Sequence, residues 1–396
     1  MRLALWTPYP EEGWVAAVAP HLAREIELVL VDAEPPSAPE ADLHVYHVAD
    51  TARHGFVYRA LLRQPGVVVL EEWSLHRLVH AETVGRGDEE AYRREARHAH
   101  GETGTFVARQ VLRGLGGALP ALLAMNDRVL EASLGLAATS AAVRERAGAR
   151  LTGRPVVQIP LAFVGLTPLP TRAGARGELG LGQERAVVVA LRGAADTAPA
   201  PGIARALERV AAGEPGATVL WTTEDDPGLA LRLAAADVVV ALEHPVRLGV
   251  PAAVARATAG GRPTLVTAGS GAACELAEAG VVRVPPGRRE AEEVEAWVRR
   301  LLTDASARAR RGEAASAWAA ERGEPGRAAR GLLALVREVA PRRDELIRAA
   351  ATAGGGEGSL LAWAMDDVRV AARELGLEGA TAELEPLLAD LFGGHR

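Results

Sequence analysis

The sequence predicts an α/β protein of two doubly wound domains facing a central cleft, with helices added at the C-terminal end. Three observations predict it. Short apolar runs alternate with helical stretches over most of the chain. The alternation breaks once, at a Pro-, Gly- and Thr-rich run from Leu161 to Gly182, and then restarts. From about Asp304 onward only helical periodicity remains. A chain of 396 residues is too long for one ordinary core and suits two, and a hydrophobic content of 48% can fill both.

In the first half the strand runs are LALW from Leu3, IELVLVD from Ile26, LHVYHV from Leu43, GVVVL from Gly66, LGLAAT from Leu134 and PVVQIP from Pro155. Helical patterns such as WVAAVAPHLARE and DTARHGFVYRALLR lie between them. The runs are continuously apolar rather than alternating, as expected of parallel strands buried on both faces. In the second half the strands are RAVVVALR from Arg185, ATVLWTT from Ala217, DVVVAL from Asp237, PTLVTA from Pro263 and GVVRVP from Gly280. GIARALERVAAG, GLALRLAAA, VPAAVARATAG, GAACELAEAG and EAEEVEAWVRRLL are the helical segments. These limits give a first Rossmann-like domain over 1–165, a linker over 166–182, a second such domain over 183–340 and a helical appendage over 341–396. The appendage is expected to pack on the second domain or on a partner, a homo-oligomer included.

Composition narrows the function. All 45 basic residues are arginine, no basic tract occurs and the formal net charge is −6, so nucleic acid is not an expected partner. A single cysteine, Cys274, excludes an internal disulfide framework and fits a reducing compartment. The N-terminus lacks a basic start with an apolar run, and no stretch nears about 20 uninterrupted apolar residues. A cytoplasmic protein is expected, with peripheral membrane contact left open.

Two Rossmann-like halves create a cleft at the carboxyl ends of their strands, where ligands bind. A pyrophosphate needs bare backbone N–H groups and a helix N-terminus, so small residues are required there. TAGSGAACEL supplies Ser270 and Gly271 before a helix, and LGVPAAV supplies Gly249 before Pro251 and another helix. Tight βα turns are the simpler account of each glycine taken singly; the occurrence of two such loops in neighbouring units points to a phosphate cleft.

The segment from Ala255 through AGGRPTLVTAGSGAACELAEAGVVRVPPG, with the helices after it, resembles the donor domain of GT-B glycosyltransferases, most nearly the large retaining family 4. TPYPEEGW resembles that family's acceptor-side glycine loop, and VYHVADTARHGFVYRALLRQPGVVVLEEW its Gly-Asn, His, Tyr-Arg and Leu-His-Asp segment. The resemblance covers roughly Met1 to Val336. It implies transfer of a sugar from a nucleotide-diphosphate sugar to a glycan, lipid-linked or protein acceptor, with no metal or other cofactor. It implies donor-binding roles for Arg192, Arg247, Gly249, Ser270, Gly271 and Glu275, and acceptor-side roles for Gly13, Trp14 and His54, with a surface or loop position the competing account of Arg192 and Arg247, and packing or a surface role that of His54.

The sequence also departs from that pattern. The family's two glutamates, seven residues apart, fall on Leu248 or Gly249 and on Arg256. Leu-His-Asp is replaced by Leu70, Glu71 and Glu72, which makes the two glutamates the catalytic candidates at a strand end; helix capping is the competing account. Gly-Asn becomes Ala49 and Asp50, and no lysine follows Arg192. A catalytically degenerate binding or scaffold subunit is therefore the alternative to an enzyme.

His76 and His80 stand four apart on one helix without a third ligand, and Asp225 and Asp226 precede a helix, so neither pair specifies a metal. His98 and His100 read as solvated, and Trp6, Trp14 and Trp73 as either sugar-stacking rings or packing.

Overall fold

A computed structural model describes residues 1–353 apart from 12, 118–119, 121–122, 161–168, 193–201, 214–216 and 225. The expected helices beyond Gly358, the start of the linker and Asp225 lie outside the described residues.

The first domain runs β1 (Arg2–Trp6), α1 (Gly13–Leu22), β2 (Glu27–Val31), β3 (Leu43–Val48), α2 (Gly55–Arg63), β4 (Gly66–Leu70), α3 (His76–Glu82), α4 (Glu89–Leu112), α5 (Asp127–Ala132), β5 (Ser133–Ala138), α6 (Ala141–Arg150) and β6 (Val156–Gln158). The rest runs α7 (Arg172–Glu178), β7 (Val187–Leu191), α8 (Gly202–Gly213), β8 (Thr218–Thr222), α9 (Leu229–Ala235), β9 (Val238–Ala241), α10 (Ala252–Ala259), β10 (Thr264–Thr267), α11 (Gly271–Glu275), β11 (Val282–Val284), α12 (Glu290–Thr303), α13 (Ala305–Arg322), α14 (Pro325–Val339) and α15 (Arg343–Ala353).

Both sheets are parallel throughout. The first has strand order β2-β1-β3-β4-β5-β6 and the second β11-β10-β9-β7-β8. In each, the order reverses beside its first strand, so the crevice falls between β1 and β3 in one sheet and between β7 and β9 in the other. Successive side chains point to opposite faces, and each face is covered by helices. Leu3, Leu5, Val45 and Val67 pack against α1 and α14, whereas Ala4, Trp6, Tyr46 and Val68 pack against the helices of the other layer. In the second domain Val187, Val189 and Val239 face α9 and α10, and Val188, Val238 and Leu265 face α8 and α12.

Two placements differ from the sequence expectation. Linker residues Arg172–Glu178 are helical and belong to the second domain. There Arg176, 0% exposed, donates to Asp237 at 2.7 Å and to the carbonyls of Ala235 and Arg185. Helix α14 leaves the second domain altogether: Ala328, Leu332, Leu335, Val336 and Val339 complete the first domain's core, and Leu346 of α15 joins them. Its amphipathic pattern is legible in the sequence, but which sheet it covers is a tertiary matter.

Candidate functional site in the interdomain cleft

At the carboxyl end of the first sheet a polar chain crosses the crevice. Thr7 follows β1, His47 lies in β3 and Glu71 follows β4. The Thr7 hydroxyl meets His47 Nδ1 at 3.1 Å, and His47 Nε2 meets Glu71 Oε1 at 2.8 Å. Thr7 and His47 are buried, while the Glu71 side chain, though densely surrounded, stays 37% exposed and faces the cleft. Burial pushes the Glu71 carboxyl up, but the charge and hydrogen bond of the His47 imidazole outweigh it and hold the group below the usual carboxylate range. Glu71 is thus an ionised, oriented carboxylate able to accept a hydrogen bond or a proton from a bound hydroxyl.

Around this chain stand the three acceptor-side residues expected from the sequence. Gly13 opens α1 at φ +60°, a conformation that suits glycine. It places Trp14 with its ring 5.8 Å from His47. His54 lies 5.2 Å from His47, edge-on, with Nδ1 2.8 Å from the Thr51 hydroxyl. Burial first, then the neighbouring His47, pushes His54 down to about 3, so it is neutral. Its Nε2 and the indole Nε1 of Trp14 are buried with no hydrogen-bond partner. Buried unsatisfied groups of this kind cost about 1–3 kcal/mol each, and an incoming polar ligand is one way to satisfy them.

The second domain's edge is arranged differently. Arg192 follows β7, is exposed, and lies over the Trp221 ring at 5.1 Å. Arg247 is not a free cation. Its Nε donates to Glu243 at 2.6 Å and its Nη2 approaches Glu224 at 3.6 Å. Burial lowers its proton affinity, but the carboxylates of Glu243 and Glu224 more than offset this and fix the guanidinium as charged. Burial pushes Glu243 up despite its arginine partner. The small residues of the two loops are explained by one close approach. The Gly271 N–H donates to the Arg247 carbonyl at 2.9 Å, and a Cβ on Gly271 would stand 2.1 Å from the Leu248 carbonyl. Ser270 caps α11 through the Ala273 N–H at 3.1 Å.

Two glutamates cross between the domains. Glu72 accepts from the Leu248 and Gly249 N–H groups at 3.1 and 3.0 Å. Glu275, from the second domain, accepts from the Ala141 N–H at 2.5 Å, at the start of α6, and from Gln158 at 2.9 Å. An open groove of about 630 Å³ lies at the opposite end of the second sheet, beside Arg262 and Arg308, and no expected site residue lines it.

The structure therefore gathers Glu71, Gly13, Trp14 and His54 at one edge, and Arg247, Gly249, Ser270 and Gly271 at the other, with Arg192 across the second crevice. Sequence reasoning missed Thr7 and His47; the signal is a polar residue in or after each of two apolar runs that flank the crevice. His76 and His80 do not form a metal pair: both ring nitrogens of His76 are taken, by the Pro120 carbonyl at 2.7 Å and Tyr92 at 2.8 Å. Among the described residues no three His, Cys, Asp or Glu side chains converge to hold a metal. His100 is buried and His98 half-buried beside Glu131, so neither is solvated as expected. Trp6, Trp14 and Trp73 are buried, which favours packing over an exposed sugar platform. No helix among the described residues is long and apolar enough to cross a membrane.

No family model matches the chain, and no curated protein does. Solved structures match over nearly the whole chain. HepE of Anabaena, in complex with UDP and glucose, superposes with a TM-score of 0.50 at 13% identity, covering 87% of this chain and 100% of its own. Sucrose-phosphate synthase from Thermosynechococcus elongatus gives 0.48 at 14% identity, covering 88% and 100%. WaaG, a glycosyltransferase involved in lipopolysaccharide biosynthesis, gives 0.45 at 13% identity, covering 83% and 98%. The HepE likeness, at this identity, shows the fold alone: two parallel-sheet Rossmann-like domains in the GT-B arrangement, with C-terminal helices.

Proposed function

We propose that the chain transfers a sugar from a nucleotide-diphosphate sugar, bound against the second domain, to a hydroxyl of a glycan, lipid-linked or protein acceptor held against the first. The observation that carries this reading is the Thr7–His47–Glu71 chain at the first sheet's crevice, directly across from the glycine loops of the second domain. Departure of the diphosphate develops negative charge on the leaving group and positive charge on the sugar. The Leu248 and Gly249 amides, which Glu72 engages in the free protein, suit the first, and the ionised Glu71 suits the second. Glu71 is also placed to take the acceptor's proton, with His47 holding its orientation. Gly13, Trp14 and His54 would then line the acceptor side, and Arg192 and Ser270 the donor side. The presence of UDP and of UDP-glucose in the HepE structures supports a uridine-type donor as the first to try. No metal or cofactor is part of the reading.

The test is a panel of nucleotide sugars, with nucleotide release followed in the presence of simple glycan acceptors. Acceptor-dependent release that falls at least a hundredfold in Glu71→Gln supports the reading; release unaffected by Glu71→Gln removes Glu71 from it.

A second reading is favoured by specific observations. The family's paired glutamates are missing, Arg247 is neutralised by Glu243 and Glu224, and the Leu248 and Gly249 amides are engaged by Glu72. On that reading the chain is a degenerate glycosyltransferase-like subunit that binds a nucleotide or a protein partner without turnover. Saturable nucleotide binding with no release in any donor and acceptor combination selects it.

A further inference from the structure

The amides that the second domain offers to a diphosphate are already in use, and the group using them comes from the first domain. Glu72 directly follows Glu71 at the end of β4. Its Oε1 accepts from the Leu248 N–H at 3.1 Å and its Oε2 from the Gly249 N–H at 3.0 Å, across 176 and 177 residues of chain. The same Oε1 takes its own neighbour's N–H, that of Trp73, at 2.7 Å, which fixes the carboxylate's direction. The rest of the contact is shaped to this grip. Leu248 packs its side chain against the first domain's core. A Cβ at position 249 would stand 2.3 Å from the Glu71 carbonyl oxygen, so only glycine lets the loop approach this closely. Glu275 grips in the opposite direction, onto the Ala141 N–H and Gln158 of the first domain. Each domain thus lends a carboxylate to the other's amides.

We propose that Glu72 is an intramolecular latch: its carboxylate occupies the amides a donor diphosphate would use, holds the cleft shut in the free protein, and must be displaced before nucleotide enters. A carboxylate and a phosphate make the same demand on a pair of N–H groups, so the two are mutually exclusive there. A ligand that binds only the unlatched form is weakened by the fraction of molecules that are latched, and removing the latch returns that affinity. The identity of the displacing anion rests on the nucleotide-sugar reading above; the latch itself does not.

The experiment titrates UDP into the full chain by calorimetry and measures domain spacing by small-angle scattering. It compares the native protein with Glu72→Ala and Gly249→Ala. The second variant keeps the carboxylate and wedges a methyl against the Glu71 carbonyl, and Glu72→Gln replaces the alanine variant if that one fails to fold. The expected result is a larger radius of gyration in both variants and a UDP affinity about tenfold higher in Glu72→Ala. Unchanged spacing in both variants overturns the latch. Equal UDP affinity in all three proteins also overturns it while leaving the nucleotide reading standing. Expansion of both variants with no UDP binding in any protein upholds the latch and removes the nucleotide reading instead.

Discussion

Thr7 and His47 flank the break in strand order of the first sheet; Arg192 and Glu243 flank the same break in the second. The two crevices are topological equivalents, yet they are furnished in opposite ways. The first holds a chain of polar side chains that ends on a partly exposed carboxylate, beside two buried ring nitrogens with nothing to bond. The second holds backbone: glycine loops pressed together, with the nearby guanidinium closed off by carboxylates. Identical winding fixes where a ligand can sit, and the residues at the strand ends decide whether the edge does chemistry or merely receives charge.

The comparison breaks most sharply at Glu71. Glu71→Gln should cut turnover by about 10²–10⁴-fold if the first edge carries the proton transfer, with nucleotide affinity unchanged, as measured by nucleotide release alongside calorimetry. A drop in affinity instead would move Glu71 to the donor side. The counterpart in the second domain is Arg247. Arg247→Met leaves Glu243 buried beside no cation, which should cost about 3–5 kcal/mol in urea unfolding. A cost under about 1 kcal/mol would mean that the second edge is open to water and that the arginine was available to a ligand.

The fold was legible because its elements are simple to read. Runs such as GVVVL in β4 and VVVAL in β7 are buried on both faces and need no context. What escaped was set by distance in the chain. His47 sits inside the apolar run LHVYHV and gains meaning only when Glu71, 24 residues later, arrives beside it. Glu72 and Glu275 read as a strand-end acid and a helix acid, and nothing local reveals that each reaches the other domain. Helix α7 has two glycines in RAGARGE and reads as linker; the buried Arg176–Asp237 pair, 61 residues apart, anchors it.

A smaller effect sharpens the first edge. His54 is neutral in the fold, pushed from 6.5 down to about 3, so below pH 6.5 the unfolded chain binds a proton that the folded chain does not. Native stability should therefore fall as pH drops from about 6.5 towards 3, with a slope approaching about 1.4 kcal/mol per pH unit from this group. Denaturant midpoints across that window for the native protein and His54→Gln should diverge, and parallel curves would mean that His54 is hydrated in solution. The smallest effect concerns the reciprocal grip: Glu275→Ala removes the partner of the Ala141 N–H while the Ser140 cap of α6 stays, and should cost about 1 kcal/mol, the usual net worth of a hydrogen bond.

Helix α14 has one more consequence. Its apolar face packs beside α1 against β5 and β6, so the N-terminal half of the sequence is not a finished unit by itself. During synthesis that half must wait, with the part of this face that α1 does not cover left open, until Val339 has left the ribosome and the whole intervening domain has been made. Pieces cut between the two halves should accordingly be poorly soluble on the N-terminal side, and should recover when a peptide spanning Pro325–Val339 is supplied.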